Sequence, residues 1–375
     1  MTPALARDVP FFPYPEVFLQ EEEELAGIFR DVGRRGAFIE QEDLRRFEAN
    51  LAAYLEACSV IGVANATDGL LIALRAAGVE RGTEVIFSSH TMVATAAAIH
   101  FAGAIPVPVE CGTDHLIDPQ AVAAAVTPRT SAILPTQLNG RTADMDALAW
   151  LASRHNLLIV EDAAQALGSR FEGQCAGTFG AAAAVSFFPA KLLGCLGDGG
   201  AVIANDKGVA ERVRSLHNHG RDEHGNVTGW GFNSRLDNLQ AAILDYRLLK
   251  YPAVIARRRE LAGAYDTALR DVAEIVRPPA PDADELHFDV YQNYEIEADQ
   301  CARLREFLTA RGVGTLVPWG GKAVHQWETL GFKVRLPVTE RLFERVLLLP
   351  MHAWLTDDDV AMVAAAVREF YRGRP

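Results

Sequence analysis

The sequence predicts an α/β protein: a large, mostly parallel sheet covered by helices on both faces, followed by a smaller α+β unit. Three observations carry this. Seven short, near-continuous apolar runs fall between residues 61 and 204, and such runs suit strands buried on both faces. Alanine-rich stretches long enough for helices separate most of them. The pattern then changes after Tyr251-Pro252, so residues 1–250 read as one large unit and 251–375 as a small one, with the N-terminal segment expected to pack on the small lobe.

The elements follow in order. Residues 41–57 place Leu44, Phe47, Leu51, Tyr54 and Leu55 at helical spacing. The apolar runs are Ile61–Ala64, Glu84–Phe87, Ile105–Val109, Ser131–Leu134, Leu157–Val160, Ala183–Phe188 and Ala201–Ala204. Asp118-Pro119 is an N-cap residue followed by proline at the first helical position, and Asp146–His155 reads as another helix. In the small unit, 254–270 reads as a long helix, Pro278-Pro279-Ala280-Pro281 as a break and Val290–Ile296 as a strand. Ala302–Arg311 then reads as a helix, Thr315–Val317 as a strand and Asp357–Tyr371 as a final helix. The Glu21–Glu24 run reads as a solvated helix face.

Acidic residues number 49 against 36 basic ones, a net charge of −13 over 375 residues. Such a surface argues against nucleic acid or an anionic membrane as a main partner, though local donors can still hold a phosphate. The start of the chain shows no leader pattern, and no run reaches the length of a membrane span. Cys58, Cys111, Cys175, Cys195 and Cys301 lack metal-like spacing, so no metal site is predicted and the thiols read as reduced in a cytoplasmic protein.

In open α/β sheets, ligands collect beyond the carboxyl ends of strands, so polar residues just after the apolar runs matter most. Asn65-Ala66-Thr67-Asp68-Gly69 precedes an apolar helix and is either an anion site or an ordinary N-cap. Asp162 directly follows a buried run; it either meets a cation or strong donors, or caps a turn. Lys191 stands alone among apolar and glycine neighbours, with Ser186 five residues earlier. Such a lysine either becomes a usable nucleophile through a depressed pKa or carries its head to water. Gly231–Ala242 reads on its own as a turn feeding a helix.

Taken together, these segments resemble one family. The carrying stretches are Ser89-His90-Thr91-Met92-Val93-Ala94-Thr95, Glu161-Asp162-Ala163-Ala164-Gln165, Ser186-Phe187-Phe188-Pro189-Ala190-Lys191 with its glycine-rich continuation to Gly200, and Asn233-Ser234-Arg235-Leu236-Asp237. From Ser88 to Leu244 the chain resembles the DegT/DnrJ/EryC1/StrS sugar aminotransferases, and more loosely so over nearly its whole length. The resemblance implies fold type I, the aspartate aminotransferase fold, with pyridoxal 5'-phosphate as cofactor. It assigns Lys191 as the Schiff-base lysine and Asp162 as the partner of the ring nitrogen. Gln165 is assigned to the ring's hydroxyl side, and Ala66, Thr67 and Ser186 to the phosphate. His90 is assigned to stack on the ring. Asn233 is assigned to reach the cofactor phosphate of a neighbouring subunit, which implies a homodimer with shared active sites. The loop from His217 to Gly229, with Arg221, would border the partner's site.

The implied reaction is ping-pong transfer of an amino group from L-glutamate, released as 2-oxoglutarate, to a keto carbon of a nucleotide-linked sugar, of the dTDP-3-keto-deoxysugar kind. The family's dehydratases carry histidine where this chain has Lys191, so that branch is not expected. Two segments depart from the family pattern. Gln137-Leu138-Asn139-Gly140 stands where many members have His-Leu-Tyr-Gly. Leu316 to His325 stands where many have a His-Tyr-Pro segment, and makes Trp319, Lys322 and His325 candidate substrate contacts. The alternatives are an aminotransferase for another cyclic ketone, of the keto-inositol or aminohydroxybenzoate type, and a non-catalytic cofactor-binding regulator.

Overall fold

The computed structural model describes residues 8–372; the chain's first seven residues, where no leader pattern is read, lie outside them. All seven apolar runs form strands of one sheet: β1 (Ser59–Val63), β2 (Glu84–Ser88), β3 (Ile105–Val109), β4 (Thr130–Leu134), β5 (Leu158–Asp162), β6 (Ala182–Ser186) and β7 (Gly200–Ala204). Their spatial order is β1-β7-β6-β5-β4-β2-β3. Neighbours are parallel from β6 to β3, and β7 runs against both β6 and β1. Only β7 is reversed, so its start meets the carboxyl ends of the others.

Twelve α-helices surround this frame among the described residues: α1 (Tyr14–Leu19), α2 (Glu22–Arg35), α3 (Glu42–Leu55), α4 (Ala66–Ala77), α5 (Val93–Ala102), α6 (Pro119–Ala125), α7 (Met145–His155), α8 (Lys207–His217), α9 (Asn238–Leu269), α10 (Cys301–Thr309), α11 (Pro337–Phe343) and α12 (Asp357–Arg372). One core packs α4, α5 and α8 on the sheet through Ile72, Ile99 and Val213. A second covers the opposite face with Phe47, Phe187 and Leu244. As expected, the α6 cap is Asp118, whose carboxylate accepts from Gln120 N–H at 2.8 Å. Glu22, Glu23 and Glu24 form the first turn of α2, while Glu21 pairs with Arg247 at 2.9 Å.

The expected helix over 254–270 is the second half of a longer one, since α9 starts at Asn238 and continues through Pro252. A proline in a helix interior removes a hydrogen bond and crowds the preceding turn. Packing offsets that cost here: Leu248, Tyr251 and Ile255 sit in the core beside the sheet, and Leu261, Tyr265 and Leu269 in the core of the C-terminal part. The chain thus passes between cores within one helix. The C-terminal core surrounds a small antiparallel sheet of β8 (Ile275–Val276), β9 (Tyr294–Ala298) and β10 (Val346–Leu349). Val9 joins it, bridging in parallel to Val313.

Two local expectations shift. The strand placed at Val290–Ile296 begins only at Tyr294, because Tyr291 takes a left-handed conformation and turns the chain. Thr315–Val317 makes a single bridge, Leu316 to Leu348, before Trp319 turns at φ 47°. No helix among the described residues is long and apolar enough to cross a membrane.

Candidate active site

The carboxyl ends of β1, β2, β4, β5 and β6 open onto a cavity of about 560 Å³, closed from the other side by Gln292, Asn293, Glu295 and Trp319 and by Leu348 and Met351. Each strand end delivers side chains to it: Asn65, Ala66 and Thr67 after β1, Thr91 and Met92 after β2, Thr136 and Asn139 after β4, Asp162 on β5, and Ser186 on β6 with Lys191 beyond it. These are the positions where the sequence places its polar candidates, and the topology explains why they converge.

Asp162 and Lys191 line this one cavity. Asp162 is buried; Thr95 Oγ1 donates to its Oδ2 at 2.7 Å and Ala164 N–H to its Oδ1 at 3.2 Å. Burial pushes its carboxyl up, against the opposing pull of those bonds and of the nearby Lys191 charge. Glu161, one residue earlier, faces the other way. It accepts from Gly177, Phe179, Gly180 and Gln137, so it anchors a turn beneath the sheet rather than joining the cavity. Burial lowers the Lys191 amine to about 8, with the Asp162 charge resisting. The Lys191 loop is clamped from across the cavity: Gln292 accepts from Leu192 N–H at 2.9 Å and donates to the Ala190 carbonyl at 3.1 Å.

The corner at the start of α4 is built for an anion. Asn65 caps the helix, accepting from Asp68 N–H at 2.9 Å, which leaves Ala66 and Thr67 at the positive end of the helix dipole. Gly200 lies so close that a Cβ there would stand 2.6 Å from the Asn65 carbonyl carbon and 2.7 Å from Ala66 N. Ser234 holds the corner from behind, donating to Asp68 Oδ2 at 2.8 Å and accepting from Ala64 N–H at 3.1 Å. On another wall, Gln165 Oε1 accepts from Asn139 N–H at 3.1 Å and from Asn293 Nδ2 at 3.2 Å, while Asn293 also donates to Asn139 Oδ1 at 2.8 Å.

Several expected contacts lie elsewhere. His90 does not line the cavity: its imidazole is buried among His115, Trp319 and Phe343, with Nδ1 2.9 Å from the His115 carbonyl, and Met92 lines the wall instead. The chain turns at the end of β2, which sends residue 90 inward. His325 is buried away from the cavity, with Nδ1 2.7 Å from Ser89 Oγ and Nε2 3.3 Å from Glu340. Lys322 is exposed and lies over the Trp327 ring. Of the three candidates from that segment only Trp319 lines the cavity. Arg221 and Asn233, expected at a partner's site rather than at this one, are exposed and outside the cavity, bridging to Val227 and Asn218. Sequence reading missed Thr95, Gln292, Asn293 and Glu295. The last three lie inside what reads as a plain strand. Thr95 carried one usable signal, its i,i+4 spacing from Thr91.

A sequence model of the DegT/DnrJ/EryC1/StrS aminotransferase family matches residues 19–368. The dTDP-3-amino-3,4,6-trideoxy-alpha-D-glucose transaminase of Streptomyces venezuelae is 40% identical over 374 residues, spanning 96% of either chain. A pleiotropic regulatory protein of Geobacillus stearothermophilus is 39% identical across 97% of this chain and 99% of its own. Among solved structures, S. venezuelae DesV in complex with a ketimine intermediate is similar at a TM-score of 0.93 and 39% identity, over 98% of this chain and 99% of that one.

Proposed function

The chain belongs to the DegT/DnrJ/EryC1/StrS aminotransferase family, and from that we propose that it moves an amino group from L-glutamate to a keto carbon of a nucleotide-linked deoxysugar, with pyridoxal 5'-phosphate as cofactor. Its fold is that of the fold type I aminotransferases. The observation that carries the proposal is the meeting of Lys191, Asp162 and the start of α4 in one cavity.

The residues present fit that cofactor. Asp162 is a buried carboxylate whose pKa burial raises, and the N–H of a pyridinium ring would satisfy it. Ala66, Thr67 and Ser186 would hold the phosphate at the α4 corner, which Gly200 keeps open, and Gln165 would face the ring's hydroxyl. When bound, pyridoxal phosphate supplies an electrophilic carbon and an electron-withdrawing ring. Lys191, with an amine near 8, is neutral in roughly a tenth of molecules at pH 7, enough to act as nucleophile and to move a proton at the donor's Cα. Asp162 keeps a proton on the ring nitrogen, and Thr95 holds Asp162 in place. Glutamate and the keto sugar would use the cavity in turn, giving ping-pong kinetics.

We place the active unit as a homodimer. Among the described residues Lys191 is the only lysine or arginine lining the cavity, yet a cofactor phosphate, a dicarboxylate and a diphosphate need several cations. Arg221 and Asn233 are exposed, as is the 223–230 stretch between them where Trp230 is 98% exposed, so a second copy would bring them to this cavity. The five free cysteines agree with a cytoplasmic setting.

The test is the visible spectrum of the purified protein before and after L-glutamate. Yellow colour that bleaches with glutamate and returns with a nucleotide-linked 3-keto-deoxysugar supports the proposal. Colour restored only by a keto-inositol would move the acceptor to another cyclic ketone. Protein that stays colourless with added pyridoxal phosphate would overturn the cofactor assignment.

A further inference from the structure

Lys191 sits in a stretch that is neither helix nor strand, between β6 and β7, so bonds from elsewhere must set its place. Within the loop, Lys191 N–H donates to the Phe188 carbonyl at 2.8 Å. Among the described residues, the bonds that reach the backbone of 190–192 from outside the loop come from one side chain. Gln292 Oε1 accepts from Leu192 N–H at 2.9 Å, and Gln292 Nε2 donates to the Ala190 carbonyl at 3.1 Å. A peptide N–H can only donate and a carbonyl only accept, so the orientation of the amide is fixed. Gln292 thus grips the peptides on both sides of the lysine from across the cavity.

Gln292 is itself held from behind. It follows Tyr291, whose left-handed φ of 50° turns the chain ahead of β9. Arg258 of α9 is 1% exposed, and its Nη1 donates to the carbonyls of Tyr291 at 2.7 Å, Gln292 at 3.1 Å and Met351 at 3.0 Å. Its Nε is buried without a partner, and burial lowers the guanidinium to about 10. Such a cation is costly to bury, and its bonds all go to the turn and to the end of β10. From the other side, Val290 N–H donates to the Gly140 carbonyl at 2.9 Å, and a Cβ on Gly140 would stand 2.5 Å from Tyr291 N.

We propose that Gln292 is a positioning residue for the reaction: by fixing the peptides on both sides of Lys191 it holds the amine at the reacting atoms. The inference rests on the aminotransferase reading above and deepens it, tying the lysine to a turn of the C-terminal part. A lysine side chain is a flexible four-carbon stem, so the aim of its amine depends on how firmly its backbone is anchored. Misplacing a reacting group by about 1 Å can cost about a hundredfold in rate.

The experiment compares wild type with Gln292→Met, which keeps the length and removes both bonds. A second variant, Gln292→Glu, still accepts from Leu192 N–H, and donates to the Ala190 carbonyl only when protonated. The first readout is the rate constant for bleaching of the pyridoxal-phosphate-loaded protein by saturating L-glutamate. Gln292→Met lowers it about tenfold to a hundredfold while half-saturating glutamate moves less than about twofold, and Gln292→Glu recovers more of the wild-type rate at about pH 6 than at about pH 8. The second readout needs no cofactor: Lys191 of the cofactor-free protein is acetylated with acetic anhydride across a pH series and followed by mass spectrometry. Wild type has its midpoint near 8, and Gln292→Met moves it up by about one pH unit toward the ordinary 10.5, because the freed amine reaches water. A folded Gln292→Met protein with its bleaching rate within about twofold of wild type and its midpoint unmoved overturns the role, even if its melting temperature falls. If that variant does not fold, a Gln292→Glu rate in the same ratio to wild type at both pH values overturns it. If wild type itself does not bleach, the aminotransferase reading fails, while the acetylation midpoints still decide whether Gln292 holds Lys191.

Discussion

Thr95 Oγ1 donates a 2.7 Å hydrogen bond to Asp162 Oδ2, and this single contact fixes the direction of a longer chain. An ionised carboxylate can only accept, so Thr95 must accept from Thr91 at 2.9 Å, and Thr91 from Thr136 at 2.9 Å. Three hydroxyls from α5 and the ends of β2 and β4 thus point their dipoles at one buried carboxylate. Removing the last donor costs about 1.5–3 kcal/mol, the range for a hydrogen bond to a charged group. Thr95→Val is expected to weaken pyridoxal phosphate binding about tenfold or more, read by equilibrium dialysis, while Thr95→Ser stays near wild type.

Lys191→Ala should end glutamate-dependent bleaching and turnover while leaving the fold intact. The side chain faces the cavity, so truncation leaves no void in a packed core and the melting temperature should hold within a few degrees. Circular dichroism and a stopped assay for 2-oxoglutarate check both halves. Residual turnover near the wild-type rate would remove Lys191 from the chemistry.

Much of the large sheet could be read from sequence because its inner strands are buried on both faces and therefore near-continuously apolar, as at Ile86 and Ile133. Lys191 and Asp162 were legible for the opposite reason, as charges out of place among apolar neighbours. Strand order was not legible, since nothing local to β7 tells it to insert, reversed, between β1 and β6. Nor was the inward turn of His90, which depends on His115, Trp319 and Phe343 arriving from distant parts of the chain. The wall residues Gln292, Asn293 and Glu295 were hidden because alternation through Tyr294 and Ile296 imitates an ordinary strand, and the left-handed turn at Tyr291 leaves no mark in composition.

Gly200 joins fold and site in one atom's absence. A Cβ there would meet the Asn65–Ala66 peptide at 2.6 and 2.7 Å, backbone that cannot rotate away as a side chain could. Gly200→Ala must therefore shift either β7 or the first turn of α4, at a cost of about 1–3 kcal/mol for overpacking. The α4 corner should move with it, so a lower melting temperature is expected together with weaker retention of pyridoxal phosphate on dialysis. A lower melting temperature with unchanged retention would mean that β7 alone gives way.

The Lys191 amine makes a prediction about pH whose sign is fixed. Its folded value of about 8 lies below the ordinary 10.5, so the unfolded chain binds more protons between those two values. Stability of the cofactor-free protein should therefore carry a penalty below pH 8 that fades as pH rises toward 10.5. Lys191→Met removes the penalty, since it offers no proton to lose. At pH 7 the variant should be more stable than wild type by about 1–3 kcal/mol, discounted for a side chain only partly out of water. The gap should close by about pH 10.5, the ordinary value for a lysine amine. Asp162 loses a neighbouring charge in the variant, which pushes its buried carboxyl further up, so the same comparison in an Asp162→Asn background isolates the Lys191 contribution. Urea titrations of both proteins at pH 7, 8, 9 and 10 measure it, and parallel curves would show that the amine is not desolvated as the cavity geometry requires.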